Sequence, residues 1–155
     1  MTDPIAQGLG YAGGVMALIG GLYGASIGIG LAGSAGTAAM TEDPQQFKKI
    51  LLLAALPMAQ IFFGLVIMLN FIIYVNNHPD IDIMRGLALL SIGFMAGVAQ
   101  AYSAKKLGDV CAAGIAELPR TKGKITLNTM ILTVYAGLIG ILALALSFMA
   151  ISLIG

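Results

Sequence analysis

Charge is what this chain has least of. Charged residues make up 10% of its 155 residues, against about 25% in an average soluble domain. No Asp, Glu, Lys, Arg or His occurs in 4–41, 50–77, 86–104 or 125–155, stretches of 38, 28, 19 and 31 residues. Each exceeds the roughly 18 residues that mark a membrane-spanning helix. A soluble globular domain is excluded, and with 59% hydrophobic residues so is a disordered chain. One cysteine, Cys111, excludes an internal disulfide and offers no paired metal-ligand spacing. The single histidine, His78, stands beside Pro79 in a short polar stretch and reads as a solvated loop residue. A net charge of +1 provides no field for nucleic acid. With so few polar side chains the chain has no room for an active site or cofactor of its own. Met1-Thr2-Asp3-Pro4 lacks the basic start of a cleaved signal peptide, so the first apolar segment is expected to stay.

What is present sorts into four apolar segments and three polar connections. The connections are Glu42–Lys49, Asn76–Asp82 and Glu117–Lys124, each holding a proline (Pro44, Pro79, Pro119) that opens or closes a helix. Helices are therefore predicted at 8–41, 46–76, 80–117 and 120–153, giving an all-α membrane protein with four transmembrane helices. At 1.5 Å per residue they run about 45–55 Å, longer than a 30 Å hydrocarbon core. Seven of the eight basic residues (Lys48, Lys49, Lys105, Lys106, Arg120, Lys122, Lys124) lie at the first or third connection, and only Arg85 near the second. The positive-inside rule then puts 42–49 and 117–124 in the cytoplasm and both termini outside. Lys105 and Lys106 are placed to snorkel to the interface or meet anionic headgroups.

The chain repeats itself. Gly33, Glu42 and Pro44 recur as Gly108, Glu117 and Pro119 at a constant offset of 75, and Gly20-x-x-x-Gly24 loosely parallels Gly93-x-x-x-Gly97. This divides the chain into hairpins 1–78 and 79–155 of the same orientation, the arrangement a rotationally symmetric ring is built from. Transporters with opposed halves use inverted repeats instead. Within the first helix, Gly20, Gly24 and Gly28 form a four-residue ridge that Gly30, Gly33 and Gly36 continue at three-residue spacing. Small residues at such spacing let helix backbones approach closely in lipid. Gly28, Gly30 and Gly33 also spell a Gly-x-Gly-x-x-Gly string, but no strand precedes it and a dinucleotide site needs one. Gly93 and Gly97 give the third helix the same small-residue face, so helices one and three are expected to form a tight inner layer. The Leu/Ile-rich helices two and four and most of the nine methionines are left to face lipid.

These features resemble the membrane-ring (proteolipid, c or K) subunits of V/A-type rotary ATPases, most closely the bacterial sodium-type ones. The resemblance rests on the two parallel hairpins, the glycine helix and the Glu-x-Pro loop ends. It extends to Leu56-Pro57-x-x-Gln60, Ala99-Gln100 and Pro119-x-Thr121-Lys122-Gly123, and so covers essentially the whole chain. It implies a homo-oligomeric or mixed ring in a bacterial or archaeal plasma membrane. That ring turns against a stator membrane subunit, joins central-stalk subunits, and couples Na+ or H+ movement to ATP synthesis or hydrolysis. This chain would be a non-catalytic subunit of that enzyme. By the same resemblance Gln60 and Gln100 would help hold an ion at mid-membrane, and Leu56 would offer a backbone carbonyl exposed by Pro57. The hydroxyl expected between proline and Gln60 is replaced by Met58-Ala59.

The departure that matters is in helix four. Counting from Gly123 places the family's carboxylate at Ile131; aligning on Tyr135-Ala136 places it at Thr133. Neither is acidic, and no Asp or Glu follows Glu117. Families retain an intramembrane carboxylate because ion relay requires it, and Gln, Thr and Tyr do not titrate in its place near neutral pH. Gln60, Gln100 and Thr133 are expected at one depth, either as a neutral hydrogen-bonded cluster or as a residual ion site. Three readings stay open. The subunit is a non-translocating member of a mixed ring, or it binds an ion through neutral oxygens, or the sequence carries a substitution. Glu42, Asp43, Asp109, Glu117 and Arg120 are the candidates for stalk contact. The rival is a structural or channel-forming tetraspan oligomer with no part in ion exchange.

Overall fold

The computed structural model describes residues 3–154, so the hairpin bounds at 1 and 155 lie outside the described residues. Four long helices dominate: α1 (Pro4–Glu42), α2 (Pro44–Asn77), α3 (Ile83–Ala116) and α4 (Thr126–Ile154). All four are long and apolar enough to cross a membrane, and the chain is a multi-pass integral membrane protein.

The helix ends follow from local chemistry and shift some expected boundaries. α1 begins at Pro4, not at residue 8, because the Asp3 carboxylate accepts from the Ile5 and Ala6 amides while Pro4 fills the first helical position. α3 begins at Ile83, not 80, behind an extended Asp82 whose carboxylate accepts from the Arg85 amide at 3.0 Å. The largest shift is in α4, expected from 120 and observed from Thr126. Pro119 opens only a single helical turn, Leu118–Thr121. Lys122 (φ 50°) and Gly123 (φ 77°) then turn left-handed, and the Gly123 amide donates to the Leu118 carbonyl at 2.9 Å. A left-handed glycine of this kind ends a helix. α2 is a single rod with a flaw: Leu56–Met58 form a 3-10 turn between Phe47–Ala55 and Ala59–Asn77. Pro57 has no amide to give the Leu53 carbonyl, and the Leu56 amide takes that acceptor instead.

α1 and α3 run parallel and touch along most of their length, from Ala6 against Gly86 to Gly28 against Gly108. A Cβ on Gly20 would meet the Gly97 main chain, one on Gly24 the Ala101 carbonyl, and one on Gly93 the Gly13 main chain. A Cβ on Gly28 would lie 2.6 Å from the Ala104 oxygen, and one on Gly97 2.5 Å from that of Met16. At these positions glycine is what lets two backbones meet. The stripe does not continue as the spacing suggested: Gly30 and Gly33 face open space, and Gly36 faces Ile50 of α2. α2 packs on α1, α4 packs on α3, and a narrower contact joins α2 to α4. Buried residues form two clusters, one around Phe71, Ile67 and Leu89 and one around Leu53, Cys111 and Ile115.

The two ends differ in their polar ties. At one, Gln7 donates to the Pro79 carbonyl at 2.9 Å and the Tyr11 hydroxyl to Asn76 at 2.7 Å, joining α1 to the α2–α3 connection. At the other, Lys49 Nζ donates to the Lys122 carbonyl at 3.4 Å, so the first and third connections lie side by side.

Candidate functional site

Gln60 and Gln100 meet. Both are almost wholly buried, at 1% and 0% exposed, and both crowd the place where Gly140 of α4 would carry a Cβ. The reason is local. Gly21 lets the α2 backbone at Gln60 approach α1, and Gly140 leaves the opening into which the two amides reach. Gln100 Nε2 donates to the Gly140 carbonyl at 2.9 Å. One helical turn toward the loops, the Ser103 hydroxyl donates to the Ala136 carbonyl at 2.7 Å. These two bonds from α3 fix the register of α4. The remaining amide oxygens, Gln60 Oε1 and Gln100 Oε1, are buried and have no partner.

Thr133 and Ile131, the two positions that sequence counting offered for the acid, are placed differently. Ile131 is 52% exposed on the outer surface of α4. Thr133 is 4% exposed and lines a hollow of about 250 Å³ with Leu56, Gln60, Phe63, Met130 and Gly137. Its hydroxyl is already spent on the Met130 carbonyl of its own helix, at 2.6 Å. The Leu56 carbonyl accepts from the Ala59 amide within the 3-10 turn. That bond uses one of the carbonyl's two lone pairs. Sequence reasoning missed Ser103, Gly137 and Gly140. The buried face of α4 (Thr129, Thr133, Gly140, Ala143, Ser147 and Ile151) is nonetheless written at helical spacing in small and hydroxyl residues, and that was the signal available.

Among the described residues no ionisable side chain lines the hollow, and no group of three or more His, Cys, Asp or Glu could hold a metal ion. Chemically the cluster offers two neutral amides, and beside it lies a small apolar space that Gln60 lines and Gln100 does not. The cluster can accept hydrogen bonds, but it cannot exchange a proton near neutral pH.

The candidate stalk residues gather at the loop end. Glu42, Asp43 and Arg120 line a cleft of about 710 Å³ with Gln46, Lys49 and Lys122. Asp109 pairs along its own helix with Lys105 at 3.5 Å and Lys106 at 3.4 Å, and Glu117 pairs with Arg120 at 3.6 Å. Exposed pairs of this kind are worth about 0–1 kcal/mol each, so these groups remain available to a partner.

Comparison with known proteins bears on the same residues. Residues 12–71, which span most of α1 and α2 including Gln60, match the family model of the ATP synthase C subunit. The V-type sodium ATPase subunit K of Enterococcus hirae is 34% identical over 107 residues, covering 66% of this chain and 67% of that protein.

Proposed function

This chain belongs to the ATP synthase C-subunit family, and from that premise we propose that it is a rotor-ring subunit of a V-type ATPase. It contributes structure to the membrane sector that couples Na+ or H+ movement to ATP synthesis or hydrolysis. The ring is assembled from several hairpin pairs, and the α1–α3 seam forms its inner layer. Loops 42–49 and 117–124 face the cytoplasm and the central stalk, a reading supported by the seven basic residues at those connections.

The observation that carries the functional reading is the absence of acid from α2 and α4. With no Asp or Glu in 44–79 or after 117, this copy has no group that alternates between charged and neutral inside the bilayer. It therefore sits in a mixed ring and does not itself move the ion; an acid-bearing sister chain does. The Gln100–Gly140 bond ties α3 to α4, with Gln60 of α2 packed against it, where the exchanging site would otherwise be.

Native mass spectrometry of the detergent-extracted complex tests this. The expected result is a multi-copy ring holding this chain and a second, carboxylate-bearing one, with stalk subunits attached. An isolated dimer or tetramer of this chain alone overturns the rotor reading in favour of a structural tetraspan oligomer.

A further inference from the structure

Resting on the ring-subunit reading, we propose that a second copy of this chain docks its α1 flank, at Gly33 and Thr37, into the α3–α4 groove beside Ala113. Copies then follow one another head to tail, and this chain sits next to itself.

The first observation is a pair of open surfaces at one height. In the α1–α3 seam Gly28 stands against Gly108. The two helices run parallel, so Gly33, five residues beyond Gly28, lies level with Ala113, five beyond Gly108. By the same count Thr37 lies level with Glu117. Nothing stands within 4 Å of where Gly33 would carry a Cβ, and Thr37 and Ala113 are both exposed. Ala113 lines a groove of about 460 Å³ that runs between Glu117 of α3 and Asn128 and Leu132 of α4. Among the described residues none from α1 or α2 lines it.

The second observation is direction. Five residues carry a side chain about 140° round a helix. The seam faces of α1 and α3 point at each other, so turning both by that angle in the same sense leaves Gly33 and Ala113 pointing apart. One chain therefore shows the flank on one side and the groove on the other. That is the condition for a heterologous contact that repeats by rotation.

The third observation is the character of the two surfaces. The exposed sides of α2 and α4 carry large apolar groups such as Phe62 and Leu142, which suit lipid. The α1 flank instead offers a glycine and a threonine whose hydroxyl donates to the Gly33 carbonyl at 3.0 Å. The groove it would enter holds Glu117 and Asn128. Small and polar residues suit a neighbouring helix better than acyl chains. Gly33 is also the repeat mate of Gly108, which already meets a helix backbone within the chain. The mate that lacks one finds it in the next copy.

The test places cysteine pairs in the full chain in its own membrane. Gly33→Cys with Ala113→Cys is compared with Ser34→Cys with Ala113→Cys, whose first thiol starts about 100° further round α1. Copper phenanthroline is the oxidant, and the unsubstituted chain with its buried Cys111 is the blank. The Gly33 pair is expected to give a ladder of dimers, trimers and higher multimers in denaturing gels, absent from the Ser34 pair. Equal ladders from both pairs, a ladder from the Ser34 pair alone, or dimers without higher multimers overturn the docking. If neither pair cross-links, native mass spectrometry of the same sample separates the causes. An intact multi-copy ring then overturns this contact and leaves the rotor reading standing, whereas the absence of any ring overturns both.

Discussion

Between α1 and α3, a Cβ added at Gly20, Gly24 or Gly93 would meet main-chain atoms. Between α2 and α4, one added at Gly140 would meet two side-chain amides, and one at Gly137 nothing closer than 3.5 Å. The residue type is the same and the use is opposite. In the first seam glycine brings backbones together until no side chain or water fits, and dispersion replaces the hydrophobic drive that lipid cannot provide. In the second, glycine holds space open for polar groups that must find partners away from lipid. A small-residue stripe therefore does not announce which of the two it serves; the element facing it does.

The comparison breaks most visibly at the first seam. Gly20→Leu should destabilise the chain by about 3 kcal/mol or prevent its accumulation, since the Gly97 main chain cannot yield. Gly30→Leu, which faces open space, should leave the isolated chain near native stability. Detergent-titrated unfolding followed by circular dichroism reads both. At the second seam, Gly140→Ala should cost about 1 kcal/mol, because the Gln60 and Gln100 amides can swing aside and alanine returns some helix propensity. Gly137→Ala should stabilise by up to about 1 kcal/mol for the propensity alone. The smallest contrast is between the amides themselves. Gln100→Leu should cost about 0.6 kcal/mol for its bond to Gly140, whereas Gln60→Leu, whose oxygen has no partner, should be neutral or slightly stabilising. Thermal unfolding of the pair in the same detergent separates them, and equal costs would contradict the unpartnered state of Gln60 Oε1.

Much of this architecture is legible in the chain. Four charge-free segments give the helices, and the offset of 75 gives two hairpins of the same sense. The ridge of Gly20, Gly24 and Gly28 gives the inner seam, because spacing alone sets which helix face a residue occupies. The meeting of Gln60 with Gln100 is foreseeable from depth along each helix. That Gly30 and Gly33 leave the stripe is helix geometry: at 3.6 residues per turn they point about 160° and 140° away from Gly28, while the buried face continues through Ala32, Gly36 and Ala39. The hidden parts depend on partners. The start of α4 at Thr126 depends on Gly123 turning left-handed after Lys122, where Pro119 suggested a continuous helix. Thr133 looked like the cluster's third member, yet its hydroxyl bonds its own backbone, a choice hydroxyl residues in helices often make. Gly137 and Gly140 have no side chain to advertise a site, and only the amides packed against them reveal one.

The most direct test of the central claim, that this subunit's spans hold no ion-exchanging carboxyl, is peptide mapping of the native complex after reaction with a hydrophobic carbodiimide. The account predicts adducts on the acid-bearing sister chain and none within 44–77 or 126–154 of this one. An adduct at either stretch would contradict it.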